Sequence, residues 1–587
     1  MLVVNGVANE RTRDQTIHSN LTPLKGGGRH DAGACLPIDG EIVAAVEEER
    51  FTRNKHSLDE FPHHSIRYVL DEGGISLSDI DILGVGRDRS NRREILREEA
   101  PQSLIPTSAT DLFSLFREVS TQIAVGRGEI ANLIDRGIHR GSPGVSPPST
   151  RFSGEYETIS HYRCHAASAA YCANSHRPTV LTIDARGEHD STVLWDHDLR
   201  RIRTFSKDNS IGLFYALGVR YLGYQRGWDA GKVMGLASYG RHRDEFQKIF
   251  KSLVTVEDGE YDVTSLTKAD APIQLLEEKF DLGRPPTEEY TQRHKDFAFH
   301  LQSTTERIVT HLVDYHLSHS NKNDLALAGG VALNCKMNRE IADLECVDSL
   351  FVQPAANDSG ICLGAALEAH RRATGSRPDP VFEHVYLGPS YRTGEIGDIL
   401  SSSKIQYETI DNPSRRAAKL LSEEALVGWF QGRLEFGPRA LGNRSILANP
   451  ISQTSTENVN RNMKHREPWR PFAPSILADA TEEYLQDGGY LPYMIRLDSV
   501  PEEKRGEIPA VIHVDGTTRP QTVSKTTNER FYKVVSEFEE LTGTPVILNT
   551  SFNISGQPIV ESPEQAIQTF YSTGLDALVI DDYLLLK

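Results

Sequence analysis

Two histidines spaced four apart, His161 and His165, stand in a stretch rich in helix formers, His161-Tyr162-Arg163-Cys164-His165-Ala166-Ala167-Ser168-Ala169-Ala170. Four residues is close to one helical turn, so both imidazoles fall on one face and can share a cation. In a chain with 21 histidines such a pair alone reads as packing. Two carboxylates change that reading. Asp184 ends a predicted strand at 180–183, and Asp358 sits in the loop 353–360 that leads into a helix. Carboxylates at strand ends and in helix-start loops project into the crevice where α/β sheets bind ligands. Taken singly, each Asp reads as an N-cap or turn residue. Two imidazoles with two carboxylates suit a borderline divalent metal, iron(II) first, with manganese, zinc or magnesium as alternatives.

A second kind of chemistry is phosphate binding. Gly329 and Gly330, in Ala328-Gly329-Gly330-Val331-Ala332-Leu333-Asn334, follow the apolar run 325–327 and would let the backbone approach a phosphate or sugar closely. The stretch 231–240 adds a cation, Lys232, between glycines, though it also reads as an ordinary helix. Lys232, Gly329, Gly330 and Asn334 are therefore candidates for binding a phosphate or sugar, and a family resemblance carried by further motifs makes that ligand ATP. The tail holds the densest basic and polar clusters, at 432–445, 462–472 and 548–553. Guanidinium forks match phosphate oxygens bidentately, and Lys adds a compact charge. Surface pairing with Glu435 and Glu467 would explain one arginine but hardly all of them.

The elements that must position these residues are an alternation of strands and helices, hence an α/β core. Runs at 34–38 and 42–46 around Asp39-Gly40 predict a β-hairpin. Phe297, Leu301, Ile308, Leu312 and Val313 predict a long amphipathic helix over 293–316. Residues 137–150 read as a loop. Gly, Ser and Pro accumulate at 374–380, which places a boundary there and divides the chain into domains 1–378 and 379–587.

Composition narrows the function classes. At 587 residues one core is too little, so two or more domains are expected. No stretch approaches a membrane span, and the N-terminus lacks the features of a secretory signal, which points to the cytoplasm. Six scattered cysteines with no C-x-x-C pair imply reduced, mostly buried thiols. A net charge of -18 disfavours nucleic acid as a partner while leaving room for a basic pocket that takes one small anion. The run Glu47-Glu48-Glu49-Arg50 reads as a solvated face.

These blocks together, with 46–56, the run Glu435-Phe436-Gly437-Pro438-Arg439-Ala440-Leu441-Gly442 and Leu548-Asn549-Thr550-Ser551-Phe552-Asn553, resemble the O-carbamoyltransferase family of the nodulation protein U, cephalosporin hydroxymethyl carbamoyltransferase and nebramycin synthase type. The likeness runs from about residue 28 to the C-terminus. It implies an N-terminal actin-like ATPase domain, similar to threonylcarbamoyl-transfer enzymes, followed by a C-terminal YrdC-like α/β domain. It implies a metal on His161, His165, Asp184 and Asp358, and a reaction pocket containing His30 and Lys55. Arg439, Lys464, Arg470, Arg519, Asn549 and Ser551 match its carbamoyl phosphate pocket. Two departures stand out: an extra polar loop at 9–25, and Asp229-Ala230-Gly231-Lys232 where many relatives have Glu-Gly-Lys.

The activity so implied is ATP-dependent conversion of carbamoyl phosphate, through carbamoyl adenylate, to a carbamate ester on the hydroxyl of a small natural product, as in antibiotic tailoring. The expected partners are these small molecules, with no nucleic acid and no membrane; a homodimer is compatible. His30, then Asp229, are the expected bases for the acceptor hydroxyl. The rivals are a tRNA threonylcarbamoylation enzyme, which the acidic balance disfavours, and a nucleotide-sensing module without turnover.

Overall fold

The computed structural model describes residues 2–5, 30–58, 60, 62–86, 154–224, 227–283, 290–318, 323–380, 382–464, 466–467 and 469–587, as backbone only at 2–5, 156 and 228. The loops at 9–25 and 137–150 lie outside the described residues. Two five-stranded sheets repeat one topology. The first has the order Glu41–Glu47, Gly33–Ile38, Leu2–Asn5, Ile82–Val85, Glu155–Thr158; its first three strands pair antiparallel, and the last two run parallel to Leu2–Asn5. The second has the order Arg201–Ser206, Asp190–Trp195, Thr179–Ile183, Asp324–Ala328, Ser349–Val352, with the same senses. This duplication is what the actin-like expectation requires. Parallel neighbours need a long crossover, and the helix Gln292–Leu317, one residue longer at each end than its periodicity predicted, lies in the crossover that leads into Asp324–Ala328.

The predicted hairpin is present. Asp39 and Gly40 take φ of 53° and 92°, two positive values that match the twist of the flanking strands. The run Glu47 to Arg50, expected on a solvated face, is buried throughout. Arg50 donates to Glu47 at 3.1 Å and to Glu49 at 2.8 Å. Glu48 accepts from the backbone N–H groups of His64 and Ser65, at 3.1 and 2.8 Å, and so caps the helix His63–Gly73. Acid and base within three residues neutralise one another, which lets a charge run go inside.

The chain forms two compact units, Met1–Cys164 with Ile361–Pro380, and His165–Gly360 with Val381–Lys587. The helix Ile361–Thr374 belongs with the first sheet because small residues admit it: a Cβ on Gly86 would stand 2.1 Å from Ile361 Cγ2. The second unit joins the second five-stranded sheet to an eight-stranded mixed sheet of the tail, ordered Glu408–Thr409, Tyr583–Leu586, Ala577–Ile580, Val427–Phe430, Arg444–Ala448, Val546–Ser551, Ala473–Leu477, Gln521–Val523. Apolar clusters around Trp429, Phe531 and Phe538, and around Met463, Phe552 and Phe570, pack against it. Both halves are thus α/β, as expected. Among the described residues no helix is long and apolar enough to cross a membrane.

Gly329 shows how tightly the second sheet meets its loops. It has φ 93°, and a Cβ there would lie 2.2 Å from the carbonyl oxygen of Ile183. Gly329→Ala should therefore lower the urea midpoint of unfolding clearly more than Gly375→Ala, which shares a positive φ of 73° but would meet nothing within 4 Å. Equal midpoints for the two variants would show that the close approach to Ile183 is not what demands glycine.

Candidate active site

The helix His161–Cys172 begins at the first of the two histidines, and the boundary between the compact units falls inside it. His165, Asp184 and Asp358 all belong to the second unit. His165 is wholly buried, and its Nε2 lies 3.3 Å from Asp184 Oδ2 and 3.5 Å from Asp358 Oδ1. His161, one turn earlier on that helix, completes a set whose ligand atoms lie within 4.8 Å of one another. The loop carrying Asp358 is tied down by Gln353, which donates to Ser168 O at 2.7 Å, and by Gly329 N donating to Ala356 O at 2.8 Å. Burial alone would push the His165 imidazole down, but hydrogen bonding and attraction from Asp184 and Asp358 lift it to about 9. Two carboxylates converging on one buried imidazole are a cation site by chemistry: a divalent ion fits this donor set of two imidazoles and two carboxylates.

Gly330 closes the same corner, since a Cβ there would be 3.1 Å from Asp184 Oδ1. Asn334 stands at the start of the next helix. Its Oδ1 caps the helix Cys335–Ala342 through Met337 N at 3.1 Å and accepts from Gln302 at 3.0 Å, while its Nδ2 donates back to Gln302 at 3.1 Å. Lys232 is 3.0 Å from Asp229 and 3.3 Å from Glu467, so the lysine and the second base candidate are one ion pair.

In the first unit His30 donates from Nδ1 to Asp31 at 3.0 Å, and His56 does so at 2.9 Å. Burial would raise the Asp31 carboxyl, yet these two bonds hold it below the usual range. Lys55 is exposed and adjoins His56 in the turn Lys55–Ser57.

The basic residues of the tail divide into two kinds. Arg444, fully buried, donates to the carbonyls of Gln431, Gly432, Asn443 and Pro389 at 2.7 to 3.1 Å, and Arg433 donates to Leu387 and Gly388. Lys464 is spent similarly, on Ser551 O at 2.5 Å and on Asn553 O and Oδ1 at 2.9 and 2.8 Å. These hold loops together. Glu435 likewise pairs with no arginine: its Oε1 accepts from Leu441, Asn443 and Arg444 N–H groups, shaping the loop after Arg439. Asn549 supports that loop from below through Ala440 O at 3.4 Å, and Ser551 donates to Asn553 at 2.6 Å.

Arg439, Arg470 and Arg519 are the other kind, and Arg466 stands beside them although it also donates to Asn460 Oδ1 at 3.0 Å and to the Pro471 carbonyl at 3.2 Å. Burial, then Arg519 and Arg470, push Arg439 down to about 9; burial, Arg470 and Arg519 do the same to Arg466. Burial also lowers Arg519. The Nε of Arg439 has no hydrogen-bond partner among the described residues. Among the described residues one carboxylate answers the group, Glu467, 3.6 Å from Arg470 and shared with Lys232. Guanidiniums gathered against their own repulsion make an anion site. Gly437, two residues before Arg439, comes so close to the Asp358 loop that a Cβ on it would be 3.3 Å from Pro354 O. The arginine loop and the carboxylate loop are thus neighbours.

The family model for the carbamoyltransferase N-terminus matches residues 24–367, and that for the carbamoyltransferase C-terminus matches 418–587. The chain belongs to the carbamoyltransferase family. It is an enzyme, and carbamoyl transfer is its chemistry. Nodulation protein NolNO of Sinorhizobium fredii is 37% identical over 97% of this chain and 81% of that one. Nodulation protein U of Rhizobium tropici is 27% identical over 90% of each. Component A of (R)-2-hydroxyglutaryl-CoA dehydratase from Acidaminococcus fermentans is 15% identical over 59% of this chain and 95% of that one, at a TM-score of 0.31, too loose a likeness to build on.

Within this carbamoyltransferase three residues of the geometry escaped the sequence reading. Arg466 stood in a recognised basic block, but nothing in its spacing separates it from Arg444. Asp31, beside His30, and Cys335, which lies close enough to Arg439 and Arg519 to favour their charged forms, carry no periodic signal at all.

The raised His165 gives a test. In the metal-free protein its proton stabilises the fold below the ordinary histidine value near 6.5, and that contribution is lost as pH rises through about 9. A divalent ion must displace the proton. Titration calorimetry with Fe(II), Mn(II) or Zn(II) in buffers of differing ionisation enthalpy should record about one proton released per ion at neutral pH, with affinity rising about tenfold per pH unit toward pH 9. A pH-independent affinity with no proton release would remove His165 from the ligand set.

Proposed function

We propose that this carbamoyltransferase is ATP-dependent and works by two linked reactions, with residues 1–378 serving nucleotide chemistry and 379–587 serving carbamoyl phosphate. The observation that carries the reading is the juxtaposition of opposite charge: a guanidinium group of Arg439, Arg466, Arg470 and Arg519 beside the loop that presents Asp358. Cations so gathered suit a phosphate leaving group, and carboxylates so gathered suit an ion that neutralises nucleotide phosphates.

Carbamoyl phosphate takes the arginine pocket. Water cleaves it there to carbamate and phosphate, and Arg439, Arg470 and Arg519 stabilise the phosphate as charge grows on it. Lys464, Ser551 and Asn549 keep the pocket floor rigid. Carbamate is short-lived in water, so the contact between the Gly437 and Pro354 loops is where a protected handover would be shortest. Carbamate oxygen then attacks the α-phosphorus of ATP, forming carbamoyl adenylate and expelling pyrophosphate. A divalent ion on His161, His165, Asp184 and Asp358 would supply charge neutralisation and alignment for the nucleotide phosphates. The Gly329-Gly330 backbone and Lys232 line the nucleotide side, with Asp229 and Glu467 holding the lysine in place.

In the last step an acceptor hydroxyl attacks the carbamoyl carbon and AMP leaves. His30 takes the hydroxyl proton, its ring oriented by the Nδ1 bond to Asp31; Lys55 stands close in sequence to the His56 that shares Asp31. The acceptor class is a hydroxylated natural product, as in antibiotic tailoring or nodulation signalling, and the reaction is cytoplasmic.

Pyrophosphate release from ATP should require carbamoyl phosphate and a divalent ion. Arg439→Ala should raise the KM for carbamoyl phosphate by about tenfold to a hundredfold, the value of one or two charged hydrogen bonds, with ATP binding unchanged. Pyrophosphate released equally well without carbamoyl phosphate would overturn the reading, and so would an Arg439→Ala enzyme with wild-type KM.

A further inference from the structure

An arginine pocket has one chemical blind spot. Guanidinium groups carry N–H donors and no acceptor, so Arg439, Arg466, Arg470 and Arg519 can hold phosphate and carbonyl oxygens but cannot tell one acyl phosphate from another. A carbamoyl group differs from an acetyl group by ending in NH2 instead of CH3. Only a hydrogen-bond acceptor can read that difference.

His513 supplies one. It lies six residues before Arg519, in a turn closed by its own N–H to Thr517 O at 2.8 Å and by Gly516 N–H to its carbonyl at 2.9 Å. Its tautomer follows from its neighbours. Asp515 is ion-paired with Lys336 at 2.8 Å, which together with Thr517 keeps the carboxyl ionised and acceptor-only. Thr517 has a single hydroxyl proton and gives it to Asp515 Oδ1 at 2.6 Å. The Thr517 oxygen can then only accept from the imidazole, which contacts it through Nδ1 at 3.1 Å. The ring proton therefore resides on Nδ1, and Nε2 is a bare lone pair. That Nε2 is buried and has no hydrogen-bond partner among the described residues, an arrangement that native structures rarely leave unexplained. Burial, with Arg519 and Lys336 repelling a second proton against the pull of Asp515, holds the ring down to about 4, so the lone pair persists at neutral pH.

Resting on the carbamoyl phosphate reading of the arginine pocket, we propose that His513 is its specificity residue: Nε2 accepts an N–H from the amide end of the acyl phosphate whose oxygens the arginines hold. The Lys336-Asp515-Thr517 relay is what fixes the tautomer, so that Nε2 stays an acceptor beside the guanidiniums' donors. A site made to accept a substrate N–H rejects analogues that lack it, because the bound analogue leaves the acceptor unpaired.

The test uses the full chain and the pyrophosphate assay. It measures the KM for carbamoyl phosphate together with competitive inhibition constants for acetyl phosphate and inorganic phosphate. In the wild type, phosphate must compete with carbamoyl phosphate; if it does not, the arginine pocket is not the carbamoyl phosphate site and this proposal falls with it. Given competition, His513→Leu should raise the KM for carbamoyl phosphate about tenfold or more and leave both inhibition constants within about twofold. His513→Gln, which keeps an acceptor near the position of Nε2, should recover most of the loss, and His513→Met replaces the Leu variant if that one does not fold. Loss of all three affinities together would assign His513 a structural role only, and no change in the carbamoyl-to-acetyl preference would overturn the proposal.

Discussion

Like charges held together is the constraint on which the second compact unit is organised. Asp184 and Asp358 converge on a buried imidazole, and four guanidiniums converge where one carboxylate, Glu467, is shared with Lys232. The guanidiniums oppose their own assembly, since burial removes the water that would screen them, while the His165 imidazole offsets the two carboxylates. What holds them is backbone: the Gly329 approach to Ile183, the Gln353 tie to Ser168, and the Glu435 carboxylate gripping three N–H donors of the loop after Arg439. The scaffold is thus stiffest where the charges are least content. That is the preorganisation catalysis by charge complementarity needs, because nothing has to rearrange when the ligand arrives.

The duplicated sheet explains where one of these corners lies. In the second copy, Asp184 follows the first strand, the Gly329-Gly330 turn follows the parallel strand beside it, and Asp358 follows the loop after the next. Three adjacent parallel strands deliver three loops to one edge, so groups 174 residues apart in sequence meet without any long side chain reaching for them. The helix His161–Cys172 enters just before the first of those strands and brings both imidazoles with it.

Much of this was legible in the residues. The histidine spacing needed only helix geometry, and the hairpin at Asp39-Gly40 and the long helix around Phe297 to Val313 carried strong local signals. Failures came where a residue's role depends on what faces it. Arg439 and Arg444 are five apart in one motif, yet one lies buried beside other guanidiniums and the other donates to five carbonyls. Lys464 and Asn334 also hydrogen-bond within the protein, which their place in the sequence does not show. Glu47 to Arg50 went inside because partners three residues away were not visible as partners in a linear charge count. Long-range pairing, such as Lys336 with Asp515, leaves no periodic trace.

The helix Ile361–Thr374 completes the first compact unit from a distance, filling space left by Gly33 and Gly86 after the chain has built the whole second five-stranded sheet. During biosynthesis the earliest strands must therefore wait, unfinished, until residues 361–380 have left the ribosome. Their inner face stays exposed over that interval, and a chain stopped short of that helix retains the nascent sheet without its cover. The discontinuity makes the unit an all-or-nothing product of translation, with the open β surface as the species a chaperone would have to shield.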